Sequence, residues 1–374
     1  MYQDISQLVH DIKSNWKVVS DHYQYARSRF FYREDFIDLL LFNRSQIGLP
    51  RTSFVDYNAA FQYYNGQRKS LELQFQDQTR GLELPYYELV NFIDEPGATI
   101  SVDGPLTEYQ LPAEIEARTN DLFTAYQAEH PHITNGPTLR VADLQKQADG
   151  KYSVKLQRSH YFDEVRTTLS LDYPLDDDVL TTMRLEDLGD DNQLRPLNQS
   201  QMVNNIGVST VLAFRSHGYW YFHMMPRHKR IGIFSGMLAS VGGTVESPQA
   251  DITDLVAHVT SEIKREIREE TGLDMDELGR QQRSQVIPLA FLRELSRGGH
   301  PQFFYLTVME EMSDKELKAA FKKAEWSMEF RGDMFSNIRG LDDVISPEFS
   351  SCLFYAMTYL QERRKLPAQP LILG

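Results

Sequence analysis

Apolar residues recur along this chain with two periods, and the switch between them marks where helices and strands are expected. Ile252, Leu255, Val256, Val259, Ile263 and Ile267 recur at spacings of three and four, which places them on one stripe of an amphipathic helix. Gly272 follows as its left-handed stop. Upstream the period shortens to two. Residues 139–144 and 152–156 alternate around Asp149-Gly150, and residues 208–214 and 219–225 flank Arg215-Ser216-His217-Gly218, so each pair predicts a hairpin. Residues 235–241 lead into Gly242-Gly243, where missing side chains let the backbone come close to another group.

Beyond the helix, residues 286–292 and 303–309 predict a strand pair joined by a turn containing Gly298, Gly299 and Pro301. A lysine-rich helix over 313–325, a closing helix over 349–363 and a tail over 367–374 complete this half. Residues 1–45 read as mainly helical, with Ile5, Leu8, Val9 and Ile12 on one face and a second apolar run over 36–40. Residues 57–64 read as helix or extended core, 99–103 as a strand and 113–128 as one helix. The pattern divides the chain into a mostly helical region of unassigned role (1–130), a domain with an N-terminal β extension (131–345, its core from about 200) and a C-terminal helix with tail (346–374). The expected fold class is α+β with a mixed sheet.

Composition narrows the classes. A chain of 374 residues exceeds one typical domain, and at 41% hydrophobic and 11% aromatic it can bury a sizeable core. A lone cysteine, Cys352, excludes an internal disulfide framework and a cysteine-built zinc site, and it favours a reducing cytosol. No apolar run approaches about 20 residues and the start MYQDISQLVHDIK has no signal-peptide pattern, so a soluble cytoplasmic protein with no membrane association is expected. The net charge of −14 disfavours nucleic acid as a partner. Kinase, Rossmann and serine-hydrolase readings lack GxxxxGK[ST], GxGxxG and GxSxG motifs.

Candidate chemistry concentrates at Arg265-Glu266-Ile267-Arg268-Glu269-Glu270-Thr271-Gly272-Leu273. At about 100° per residue, Glu262, Glu266 and Glu269 run along one border of the apolar stripe and Glu270 projects almost into it. Glu266 and Glu270 are like charges at i, i+4 near a helix C-terminus, an arrangement that local electrostatics oppose. A divalent cation at the stripe's edge would remove that penalty.

These residues resemble the signature of the Nudix hydrolases: Arg-Glu, an aliphatic residue, any residue, Glu-Glu, any residue, Gly, and an aliphatic residue. Five typed positions at roughly 6% each coincide by chance about once in a million windows. The upstream half departs from the signature, with Asp251 and Ala257 at its glycine and glutamate positions. Gly242-Gly243-Thr244-Val245-Glu246 looks like the family's Gly-Gly-x-x-Glu loop if about eight residues, 249–256, are inserted before the helix. A similar insertion occurs in the UDP-glucose-hydrolysing branch, and Gln249 then stands where a helper glutamate would fall.

The resemblance implies an α/β/α sandwich and an enzyme acting on acid anhydrides. It would be a Mg2+-dependent pyrophosphohydrolase, with Mn2+ as the alternative ion, acting on a nucleoside diphosphate joined to another moiety: a nucleotide sugar, ADP-ribose or a dinucleotide. It assigns Glu266, Glu269, Glu270 and the Gly243 carbonyl to the metal, Glu266 and Glu269 to catalysis, and Arg265 to orienting a glutamate. Glu262 and Glu294 are candidate helpers, and Glu266 is the first choice for the base, ahead of Glu294, Glu310 and Glu329. Arg227 and Arg230, in the basic run Arg227-His228-Lys229-Arg230, are candidates for substrate phosphate. The histidines His217, His223 and His228 lack helical metal-site spacing, and the aromatic run over 219–222 reads as half core. Proteins of this family often form homodimers. The rival expectation, motivated by the altered upstream half, is a nucleotide-sensing or scaffold protein that kept the fold and lost turnover.

Overall fold

A computed structural model describes residues 69–75, 78–84, 86–171, 183–187, 194–216, 219–223, 225–226, 238–310, 312–321, 346–363 and 372–373. In chain order, β1 (Lys69–Phe75) and β2 (Gln78–Leu84) form an antiparallel pair, followed by β3 (Tyr86–Asn91), β4 (Ile100–Val102) and β5 (Thr107–Glu108). Helices α1 (Ala113–Arg118) and α2 (Asn120–Glu129) lead to the hairpin of β6 (Pro137–Lys146) and β7 (Tyr152–His160), then to α3 (Tyr161–Arg166) and α4 (Met183–Glu186). The second half runs β8 (Gly207–Ser216), β9 (Tyr219–His223), β10 (Met225–Pro226), β11 (Leu238–Ala239) and β12 (Val241–Thr244). After α5 (Leu255–Thr271) and α6 (Met275–Arg280) come β13 (Ser284–Glu294), β14 (His300–Met309), α7 (Asp314–Phe321), α8 (Pro347–Arg363) and β15 (Ile372–Leu373).

The largest sheet is mixed, in the order β15-β9-β8-β14-β13-β3, with β12 also pairing β8. Parallel pairing of β14 with β8 brings Gln302 opposite Gly207, and antiparallel pairing of β12 with β8 brings Gly243 opposite Val208. Alternate side chains of its central strands feed two separate cores. Val208, Leu212, Phe291, Phe303 and Tyr305 join Val259, Ile263 and Ile267 of α5 on one face, where Phe291 stacks on Phe303 at 4.1 Å. Val211, Ala213, Leu292, Phe304 and Leu306 meet Phe349, Leu353, Ala356 and Leu360 of α8 on the other. The described fold is thus α+β, with helices on both faces of a mixed sheet.

A smaller sheet, β4-β7-β5 with β6 on β7, shares the α5-side core through Ile100, Leu139, Val141 and Val154. This corrects the division at residue 130. β3 lies before that boundary yet pairs with β13, and β4 and β5 pair with β7, so these strands join the main and smaller sheets while β1 and β2 form a pair of their own, and the described part of the first 130 residues is not mostly helical. The helical readings over 1–45, the segment 57–64 and the acidic run 172–178, which the sequence predicts as a solvated loop, lie outside the described residues. The helix expected over 113–128 is two helices, interrupted at Thr119, whose hydroxyl donates to the Ile115 carbonyl at 2.7 Å. The tail contributes β15, parallel to β9. No helix among the described residues is long and apolar enough to cross a membrane.

Candidate functional site

Helix α5 positions the acidic side chains, and both its ends are fixed locally. Asp254 caps its start by accepting from the amides of Val256 and Ala257 at 2.9 and 3.2 Å, and Gly272 ends it at φ 71°. Ile252 therefore precedes the helix instead of opening it, although it still packs against the core. Burial of Leu255, Val259, Ile263, Ile267 and Thr271 against the sheet fixes the rotation of the helix. That rotation puts Glu262, Glu266 and Glu269 together along the edge of the stripe.

Arg265 joins them. Its guanidinium lies 2.9 Å from Glu269, 2.8 Å from Glu266, 3.1 Å from Glu262 and 3.6 Å from Glu246. Four carboxylates thus share one fixed positive charge. Burial alone would lower the Arg265 pKa, but the charges of Glu266 and Glu262 and the hydrogen bonds it donates to Glu262 and Glu269 outweigh it and raise it. Burial pushes Glu266 up to about 7; Arg265 pulls the other way, and Glu269 and Glu262 add to the rise. Glu270 is half-buried on the same helix.

Gly243 completes the arrangement from the neighbouring strand. A Cβ built there would sit 2.6 Å from Oε1, 2.7 Å from Cδ and 2.9 Å from Oε2 of Glu266, so the loop backbone and this carboxylate occupy adjoining space. A methyl at Gly242 would meet the Val208 carbonyl oxygen and the Ser209 hydroxyl. Gly243→Ala is accordingly expected to displace Glu266 and to cost about 1–3 kcal/mol of stability through overpacking, read as a lowered urea midpoint. An unchanged midpoint would show that the carboxylate moves aside freely.

Among the described residues no three His, Cys, Asp or Glu side chains are arranged to hold a metal ion. Oxygens of Glu266 and Glu269 are turned toward Arg265. Gly243, Glu262, Glu266, Glu269 and Arg265 are therefore brought together around a guanidinium. Arg227, Arg230, His217, His228 and Glu329 lie outside the described residues, and His223 is a buried strand residue whose pKa burial lowers to about 4.

Glu294 is the correction. Expected as a candidate helper, it is fully buried at the end of β13, 3.5 Å from Arg297, which in turn lies 2.8 Å from the buried Glu164. Asn205 also donates to Glu164, at 3.4 Å, and accepts from Ser159 at 2.8 Å. The carboxylate at position 294 thus belongs to a buried ionic network.

Sequence reasoning passed over His258, whose Nε2 lies 3.2 Å from the Glu246 carbonyl oxygen, and it assigned no role to Glu246 itself. Spacing gave a partial signal, since His258 and Glu262 are i, i+4 on one helix face. The loop that they meet is brought there by tertiary pairing. The sequence matches no protein-family model and has no significant match among curated proteins.

Proposed function

We propose that this chain is a Mg2+-dependent hydrolase of the Nudix type, cleaving the pyrophosphate bond of a nucleoside diphosphate joined to a sugar, a ribose or a second nucleotide. The observation that carries this reading is the excess of carboxylates at Arg265, with Glu266 half-buried against the Gly243 backbone. Such a set is costly unless a cation offsets it. Its chemistry fits the group implied, since magnesium binds through a few carboxylates and substrate oxygens while keeping several waters.

Glu266, Glu269, Glu270 and the Gly243 carbonyl would hold the ion. When bound, it would neutralise phosphoryl oxygens and acidify a coordinated water. The chain's own residues do the rest. Arg265 orients Glu266 and Glu269 through charge-assisted hydrogen bonds at 2.8 and 2.9 Å. Glu266, oriented by Arg265 beside the Gly243 backbone, is the residue placed to take a proton from the attacking water.

A second reading is favoured by one observation: Arg265 donates to oxygens of Glu262, Glu266 and Glu269 alike, as in a structural ion network. On that reading the protein senses or scaffolds a nucleotide without turning it over. The two separate on one experiment, in which the purified chain is incubated with nucleoside diphosphate sugars, ADP-ribose and dinucleotides in the presence of Mg2+ or Mn2+. Release of a nucleoside monophosphate from any of these supports the hydrolase. Binding without release across the whole panel supports the sensor.

A further inference from the structure

Residues 245–247 run as an extended segment with partners on both sides. On one side it meets β6 and the chain before β8: the Val245 carbonyl accepts from Leu139 at 3.0 Å, the Val245 amide donates to Ile206 at 2.8 Å, and the Ser247 amide donates to Pro137 at 3.4 Å. Glu246, between them, presents its amide and carbonyl to the helix. Its N–H donates to Glu262 Oε2 at 3.2 Å, and its carbonyl oxygen lies 3.2 Å from His258 Nε2. His258 and Glu262 are one turn apart, so two successive side chains take the place that a further strand would fill. The next turn brings Glu266, which lies against Gly243. Three turns of α5 therefore track the loop residue by residue.

We propose that His258 is a positioning residue for the carboxylate cluster. By donating Nε2–H to the Glu246 carbonyl it fixes the register of the Gly242-Gly243 loop along α5 and so keeps Gly243 against Glu266. Glu262 accepts from the N–H of the same residue, Glu246, which gives this carboxylate a role at the loop and removes it from the candidates for a direct helper. The consequence for turnover rests on the hydrolase reading; the clasp itself does not.

The test compares the full-length chain with His258→Leu, which removes the donor, and His258→Gln, whose amide can still donate. Hydrogen exchange of the 242–247 segment and the kcat and KM of the panel substrate that turns over best are measured for each. In His258→Leu, exchange of this segment is expected to accelerate about tenfold and kcat to fall about three- to tenfold with KM little changed, as for loss of one hydrogen bond. His258→Gln is expected to restore both. Because His258 is only half-buried, the melting temperature should stay near that of the parent in both variants. Unaltered exchange in His258→Leu overturns the proposal, as does failure of His258→Gln to restore it, or accelerated exchange with unaltered kcat in an active enzyme. If the parent chain turns over no substrate, the hydrolase reading fails while the exchange comparison still decides the clasp.

Discussion

Glu269→Gln is expected to lose pyrophosphate hydrolysis while nucleotide binding persists. The amide keeps the shape of the side chain and leaves an oxygen for Arg265, which sits 2.9 Å from the native carboxylate and also holds Glu262 and Glu266. Only the negative charge is removed. Loss of a group that merely supports a metal ligand costs 10- to 100-fold, so loss of a ligand's charge should lower kcat/KM by about a hundredfold or more. Substrate affinity, measured by calorimetry in Ca2+, should change much less. Equal turnover by parent and variant would remove Glu269 from the chemistry, and full activity in Glu266→Gln as well would leave the cluster a purely structural ion network.

The largest expected effect on stability lies elsewhere, at Arg297→Met. Arg297 is 6% exposed, and its two carboxylate partners, Glu164 and Glu294, are 2% and 0% exposed. Burial alone would lower the Arg297 pKa, but the charges of Glu294 and Glu164 win and raise it. Methionine fills much of the volume but abandons both carboxylates in a medium that cannot solvate them, a change worth about 3–5 kcal/mol. A fall of that size in the unfolding free energy, with an unchanged urea m-value, is the expected result. A fall below about 1 kcal/mol would mean that the carboxylates find water or protons once the guanidinium is gone. Adding Glu294→Leu to the variant should recover part of the loss, because one of the two abandoned charges is then absent.

These two sites differ in how far they could be read before the fold was known. The α5 cluster was legible because a helix imposes its own geometry: a stripe of period 3.6, ended by Gly272, fixes the angles of Glu262, Glu266 and Glu269 whatever surrounds them. The start of that helix was less so. Ile252 continues the apolar spacing while lying outside the helix, because a residue in an extended connection can reach the same core. Glu294 and Arg297 were opaque for another reason. They precede Gly298-Gly299, a sequence that looks like an exposed turn, yet both are buried, and Arg297 pairs with Glu164, about 130 residues earlier. The clasp at Glu246 was half legible, since the i, i+4 spacing of its two helical side chains was present but their target was not.

Strand pairing escaped the sequence pattern for the same non-local reason. Local alternation identified the hairpins β6–β7, β8–β9 and β13–β14, each closed by a short connection. It gave no hint that Tyr86–Asn91 would lie beside β13.

That last pairing constrains how the molecule can be made. The main sheet takes its outer edge from a segment synthesised about 200 residues before its neighbour, so during translation the early segment must wait, without its partner, until those intervening residues have emerged. Non-local closures of this kind slow folding and leave sticky edges exposed meanwhile. A chain beginning after that segment would carry β13 as a naked border on an otherwise finished sheet, inviting copies to join edge to edge.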